Sequence, residues 1–385
     1  MTEVTEQGRA EEHPLEARPQ VRARPGWGSD RIARLAFIWP ALLVILFVSV
    51  FPLIVSLFLS LSRLDLVRGG FQITFIGLGN FRDLLFGSDK TEFLGLSRSP
   101  SPLGWAVIVA GIGAVAWALL RAARARPSVA GLVLRGLLAL LAASLLWLIG
   151  HTLFGQGGYP GTVVVTLVYV VAGITLPFIF GLGLAYLVTQ QLPGQRLFRV
   201  VFLLPLMITP VGIAYMFRML ADTDKGPFEP VWAFLGLGNF SWVTSPWGAR
   251  AAVMVGDIWQ WTPFMFIVLL AALESQDIQT VEAATVDGAN RWQVFRHITM
   301  PAILPISLTV ILIRMIEAFK IIDLPNVLTN GGPGTATESV TLQAYIRWRS
   351  LDLGSSAATA YSLLFIVTVA ALAFINLLRR SVAQE

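Results

Sequence analysis

"VEAATVDGANRWQVFRHITMPAILP", residues 281–305, interrupts an otherwise apolar chain. It is a mixed polar segment of helix formers, with a glycine at 288 and prolines at 301 and 305. The apolar runs 250–272 and 303–322 flank it. Each is long enough to cross a bilayer, for which about 20 mostly apolar residues are needed. A polar segment tethered between two spans must lie at a membrane surface, and its neighbours set the fold class.

Composition agrees. Of 385 residues, 55% are hydrophobic and 13% charged, whereas a soluble domain has about 25% charged residues. The chain reads as an all-α polytopic membrane protein. Its net charge of +5 does not make it a nucleic-acid binder, because the basic residues sit at the ends of apolar runs, where lipid headgroups and the inward charge bias explain them. With no cysteine, disulfides, iron–sulfur clusters and thiolate chemistry are excluded. His13, His151 and His297 are far apart, which argues against a histidine metal centre.

Eight segments have the length and apolarity of a span: 35–61, 103–120, 129–154, 162–190, 198–220, 250–272, 303–322 and 358–378. Residues 1–33 are polar, rich in Pro, Glu and Arg, and read as a disordered tail. The first span falls within 34–62, too long for a cleavable signal segment. A loop, 63–102, follows; then a hairpin of two spans, 103–154; then residues 160–380, with the polar segment at 274–302; then a short tail, 381–385.

Lys and Arg set the orientation. With the N-terminus inside, the inner segments carry Arg31 and Arg34, Arg121, Arg124 and Arg126, Arg196 and Arg199, Arg291 and Arg296, and Arg379 and Arg380. Both termini and segment 274–302 are then cytoplasmic, and the protein is multi-pass in the cell membrane. Loop 63–102 runs against the rule, with Arg63, Arg68, Arg82, Lys90 and Arg98 on the outside.

Locally, 276–300 predicts two short helices. Asp277 caps the first, and Gly288 ends it in the left-handed conformation. Asn290 with Gln293 starts the second as a capping box. Trp292, Phe295 and Ile298 share one strip, and Pro301 is expected to stop the helix. Such a hairpin suits docking to a partner; an amphipathic loop lying on lipid headgroups is the alternative.

Ionisable residues inside spans are candidate functional groups. Asp257, Gln260, Trp261 and Phe264 fall at i, i+3, i+4 and i+7 on one helix face; Arg314, Glu317, Ala318 and Ile321 repeat the spacing on another. The two faces offer carboxylates, an amide, a guanidinium and aromatic rings, the equipment for a polyhydroxyl solute. An intrahelical Arg314–Glu317 packing pair is the competing reading, whereas Asp257 has no obvious local partner.

The spacing Glu282-Ala283-Ala284, then Gly288, Ile298, Met300 and Pro301, resembles the EAA loop of permease subunits of binding-protein-dependent ABC importers. Met300 stands where that family usually has Leu. "VLTNGGPGTATES" (327–339), the first span with "GLGNF" (77–81), and Asp287-Gly288-Ala289 resemble the carbohydrate branch. The likeness covers 33–86 and 160–380. It implies a six-helix permease core, with 103–154 an insertion that is either a lipid-facing appendage or a partner-binding element. It further implies that Glu282, Ala283, Ala284, Asp287, Gly288, Phe295, Ile298 and Pro301 couple the chain to an ATPase. The expected partners are a second permease, two ATPase subunits carrying ATP and Mg, and an extracytoplasmic solute-binding protein. No cofactor is expected on this chain. Lys90, Lys225 and Lys320 follow Asp89, Asp224 and Phe319, so the Gly-Lys-Ser/Thr of a phosphate-binding loop is absent.

The resemblance turns the faces of Asp257 and Arg314 toward a sugar path, although charges replace the family's neutral amides there. Sugar, glycerol phosphate and other small polar solutes all fit. A proton-coupled secondary transporter using Asp257 and Glu317 is the rival, and it leaves the polar segment unexplained. A membrane enzyme would need a nucleophile–base or metal constellation that this chain lacks.

Overall fold

The structure is a computed structural model that describes residues 38–123, 129–190, 194–236, 238 and 241–382. The expected tail 1–33, Arg31 and Arg34, and the turn residues Arg124 and Arg126 lie outside the described residues. The chain divides into units 1–55 and 56–385. Helix α1, Ile38–Ser60, is apolar along its length and contains a π turn at Leu46–Val50.

After α1 comes a β-hairpin, β1 (Ser62–Val67) and β2 (Gly70–Phe75), then the short helices α2 (Gly79–Phe86) and α3 (Lys90–Phe93). Strand β3 (Gly95–Leu96) precedes α4 (Pro102–Ala123) and α5 (Val129–Thr152), and pairs antiparallel with β4 (Tyr159–Pro160) beyond them. The loop expected over 63–102 is thus largely ordered secondary structure. Next come α6 (Thr162–Val188), α7 (Gln195–Met207), α8 (Pro210–Leu220), α9 (Glu229–Phe234), α10 (Pro246–Glu274) and α11 (Ile278–Val286). Helix α12, Arg291–Phe319, includes a π turn at Phe295–Thr299. A further π turn, Pro325–Thr329, leads to α13 (Val340–Arg349) and α14 (Leu353–Val382). The last helix therefore runs into the segment expected as a tail.

The expected spans are helical in the described residues, and the one expected over 198–220 is bent. Among the described residues, six helices are long and apolar enough to cross a membrane, or up to seven with a bent pair counted as one. The bent pair is α7 and α8, which meet at 98°. Pro210 cannot donate a helical hydrogen bond and pushes the preceding residue out of the α region. Thr209 accordingly takes φ −64°, ψ 146°, and its side chain caps α8 by accepting from the Gly212 amide. The second arm of the expected hairpin is α5, with Leu138–Thr152 an apolar helical stretch among the described residues.

Helices α6 and α10 form the centre. Gly181 lets them close: an added Cβ there would lie 2.6 Å from Met265 Cβ. Around this contact pack Ala185, Val188, Met265, Phe266, Leu269, Ile303 and Val310, all buried. A second cluster joins Val165 and Tyr169 of α6 to Ile213 of α8, Val253 of α10 and Leu324. Outward-facing residues such as Val171, Ile179, Phe180, Ile313 and Phe365 are apolar and exposed, as lipid contact requires.

The loop 330–339 is fastened to the bundle end opposite the polar segment. Arg250 Nε donates to the Ala336 carbonyl at 2.7 Å, and Tyr169 Oη donates to the Thr337 carbonyl at 3.2 Å. Thr166 Oγ1 accepts from the Val340 amide, and Thr162 Oγ1 donates to Gln343 Oε1. Glu338 is buried here. Burial pushes its carboxyl up to about 7, with the nearby charge of Glu92 adding and that of Arg347 opposing.

Candidate functional site

The polar segment folds as its sequence predicts at nearly every joint. Asp277 accepts from the Gln279 amide at 3.0 Å and opens α11. At the other end, the Ala289 amide bonds the Ala284 carbonyl (3.0 Å) and the Gly288 amide bonds the Thr285 carbonyl (3.1 Å). These bonds form a Schellman motif, with Gly288 at φ +85° as its left-handed residue. Asn290 and Gln293 form the capping box, each side chain accepting from the other's amide at 2.8–2.9 Å.

Pro301 is the exception, because it does not stop the helix. The chain continues as α12 to Phe319. The π turn at Phe295–Thr299, closed by the Met300 amide on the Phe295 carbonyl, sits just ahead of the proline. It widens the helix where the proline ring would clash and where its missing N–H leaves the ladder open. Helix 291–319 thereby joins the segment to the membrane as one rod.

The segment's outer surface is apolar in places where a soluble face would be polar. Ile278, Val286 and Trp292 are 69%, 87% and 64% exposed. Glu282, Ala283, Asp287 and Gly288 are exposed, whereas Ala284, Phe295 and Ile298 are half-buried. Its inner surface is tied to the bundle. Phe295 meets Tyr186 of α6 edge-to-face at 5.5 Å and stacks on Trp292 at 5.7 Å. Gln276 Nε2 donates to the Thr299 carbonyl at 3.2 Å. Between segment and bundle lies a cavity of about 850 Å³, lined in part by Tyr186, Gln195, Arg199, Glu274, Arg291 and Phe295. Arg199 and Glu274 form an ion pair across its wall.

Midway through the bundle, Asp257 of α10 and Arg314 of α12 form a buried ion pair. Arg314 Nε also donates to the Gly173 carbonyl of α6 at 2.9 Å. Trp261 covers the guanidinium, with its ring centre 4.6 Å away, and Phe264 meets Trp261 edge-on at 5.9 Å. Gly173 makes the clasp possible, since a Cβ there would fall 2.7 Å from Asp257 Oδ2 and 2.8 Å from an Arg314 nitrogen. Gln260 is buried one turn along from Asp257.

This arrangement corrects one expectation. Asp257, which has no local partner, is met from another helix. Arg314 does not pair with Glu317; the half-buried Glu317 is bonded to the exposed Lys320 at 2.6 Å. The second face also divides. Arg314 joins the clasp, whereas Ala318 and Ile321 are buried in apolar clusters. Gly173 and Tyr186 are site residues that the spacing of polar groups does not reveal. The available signal at Gly173 was a glycine midway along an apolar span, which marks close approach.

The family of binding-protein-dependent transport system inner membrane components matches residues 165–384. A probable ABC transporter permease protein of Sinorhizobium fredii is 35% identical over 54% of this chain and 67% of its own length. A trehalose/maltose transport system permease protein of Thermococcus litoralis is 31% identical over 50% of this chain and 66% of its own length. An sn-glycerol-3-phosphate transport system permease protein of Yersinia pestis is 32% identical over 56% of this chain and 73% of its own length. The fold is similar to that of a chain from a bacterial alginate ABC transporter solved with an alginate pentasaccharide-bound periplasmic protein: TM-score 0.53, 22% identity, covering 57% of this chain and 77% of the other. With the matched region beginning in α6 and running through the clasp and the polar segment, the chain belongs to the binding-protein-dependent transport system inner membrane components.

Proposed function

We propose that this chain is one permease subunit of an ATP-driven importer for a sugar or related polyhydroxyl solute. The observation that carries this reading is the segment 278–299. It is a capped two-helix knob with an apolar, exposed tip, built between α10 and α12 and wedged against α6. A knob so placed passes a push from a partner into the three helices that hold the buried clasp. The names of relatives include trehalose/maltose and glycerol-phosphate permeases, which supports the solute class.

In this reading the knob rests on an ATPase subunit through Glu282, Ala283, Ala284, Asp287 and Gly288. Phe295, Ile298 and Pro301 carry the motion into α12. ATP and Mg act on that partner. A second permease, a second ATPase and an extracytoplasmic binding protein complete the assembly, and both termini of this chain face the cytoplasm. The Asp257–Arg314 pair positions Trp261 and Phe264, and the solute passes along Gln260, Trp261, Phe264 and Glu317. Proton coupling through Asp257 and Glu317 is disfavoured because each already has a cationic partner.

Reconstituted assembly in liposomes tests the proposal. Uptake should stop when ATP is withheld while a proton gradient persists. Uptake that follows the gradient without ATP would overturn it.

A further inference from the structure

The hairpin of β1 and β2 turns through Arg68 and Gly69, with Gly69 at φ +107°. Its register places Leu64 opposite Ile73 and Ser62 opposite Phe75, on the face that also carries Phe71. Arg63 opposite Thr74 and Asp65 opposite Gln72 make the other face polar. The apolar face is uncovered: Phe71, Ile73 and Phe75 are 63%, 51% and 64% exposed. An isolated two-stranded hairpin is marginally stable in water, and three large apolar residues on one open face demand an apolar surface to meet.

The hairpin's root fixes its level. Strand β1 begins two residues after α1 ends at Ser60. Asn80 Nδ2 donates to the carbonyls of both Ser60 and Ser62, at 2.8 and 2.9 Å. Gly354, at the start of α14, passes so close that an added Cβ would lie 2.3 Å from the Ser62 carbonyl. The root is thus pinned where two membrane spans end. Phe75 stacks on Phe58, itself half-exposed on the last turns of α1, at 6.5 Å, so the hairpin's apolar face continues the exposed apolar surface of those last turns. Beside it Leu78 and, on helix α2, Leu85 and Phe86 are exposed, with Arg82 also exposed.

We propose that the β1–β2 hairpin lies on the membrane surface at the bundle end away from the knob. Phe71, Ile73 and Phe75 sit in the boundary between headgroups and acyl chains, where apolar faces bury about 5–10 Å deep. The arginines of loop 63–102 that run against the inward charge bias are then at headgroup level, where their stems cover apolar surface and their charges meet phosphate. The ligand is the bilayer itself.

The chain has no cysteine, so single-cysteine variants report cleanly. Phe71→Cys, Ile73→Cys, Phe75→Cys, Gln72→Cys and Thr74→Cys carry a fluorescent label in the full chain. The chain is reconstituted in phosphatidylcholine brominated near the glycerol end of the acyl chains. Labels at 71, 73 and 75 should lose most of their fluorescence to bromine and resist aqueous iodide; labels at 72 and 74 should show the reverse. The pattern should persist at high salt, because apolar burial drives it. Equal iodide access at all five positions would overturn the proposal. So would protection at 71, 73 and 75 that appears only when a second permease, the binding protein or another copy of the chain is added.

Discussion

Asp257 on α10 and Arg314 on α12 pair inside the bundle, and the Gly173 carbonyl of α6 accepts from the same guanidinium. Three helices are joined by one cation. Removing one member of a buried pair leaves the other charge unpaired, which costs about 3–5 kcal/mol. Asp257→Ala should therefore lower the thermal stability and yield of the purified chain sharply. Replacing both partners by apolar residues of similar size is often neutral or stabilising by about 1–4 kcal/mol. Asp257→Leu with Arg314→Met should thus recover most of the lost stability. Melting of the two variants in one detergent checks the difference, and a double variant no more stable than Asp257→Ala would show that the pair does not act as a unit.

Gly173→Ala should resemble Asp257→Ala, although it changes no charge. Its methyl group would stand 2.7 Å from the Asp257 carboxylate, and the pair must part or the helix must shift. Gly183→Ala on the same helix is the control, since nothing lies within 4 Å of its added methyl group. A Gly173→Ala protein that melts with Gly183→Ala would remove the clasp from the account.

Gly288 sits at φ +85° with nothing within 4 Å of an added Cβ, so any effect there is one of backbone conformation. The left-handed region costs an ordinary residue about 1–2 kcal/mol, and Asn enters it more readily. Gly288→Val should weaken recovery of the ATPase with the permease while membrane insertion stays normal, and Gly288→Asn should fall between. Quantified co-purification of the three proteins gives the order.

Glu338 predicts the pH dependence of the end away from the knob. Its carboxyl is raised from 4.5 to about 7, so between those values the folded state holds a proton that the unfolded state has released. Stability contributed at this residue is greatest at low pH and declines as pH rises from about 4.5 to about 7, by about 3 kcal/mol at most. Glu338→Gln should remove the decline and melt higher than the wild type at pH 8. Parallel melting curves at pH 5 and pH 8 test the sign.

Where signals are local, the sequence carried them. Asp277, Gly288, Asn290 and Gln293 act through bonds to residues two to five positions away, and each was legible from spacing. The clasp was not, because Asp257 and Arg314 are 57 residues apart and Gly173 contributes only a carbonyl. Helical spacing grouped Arg314, Glu317, Ala318 and Ile321 on one face, of which all but Glu317 are buried, and spacing does not say whether the interior reached is a path or a packed core. Pro301 misled for a related reason: whether a proline ends a helix or is absorbed by a wider turn depends on how the rest of the rod is held. Pro210 shows the opposite outcome, a break, where Thr209 caps the next helix by accepting from the Gly212 amide.

In the assembled importer an ATPase should cover the tip of the knob. Val286 is 87% exposed at that tip, and Val286→Cys would be the sole cysteine of the chain. Its rate of labelling by a water-soluble maleimide is compared between the chain alone and the chain assembled with its ATPase. Labelling should be rapid in the chain alone and strongly suppressed in the assembly. Equal rates in both would show that the tip is not the docking surface.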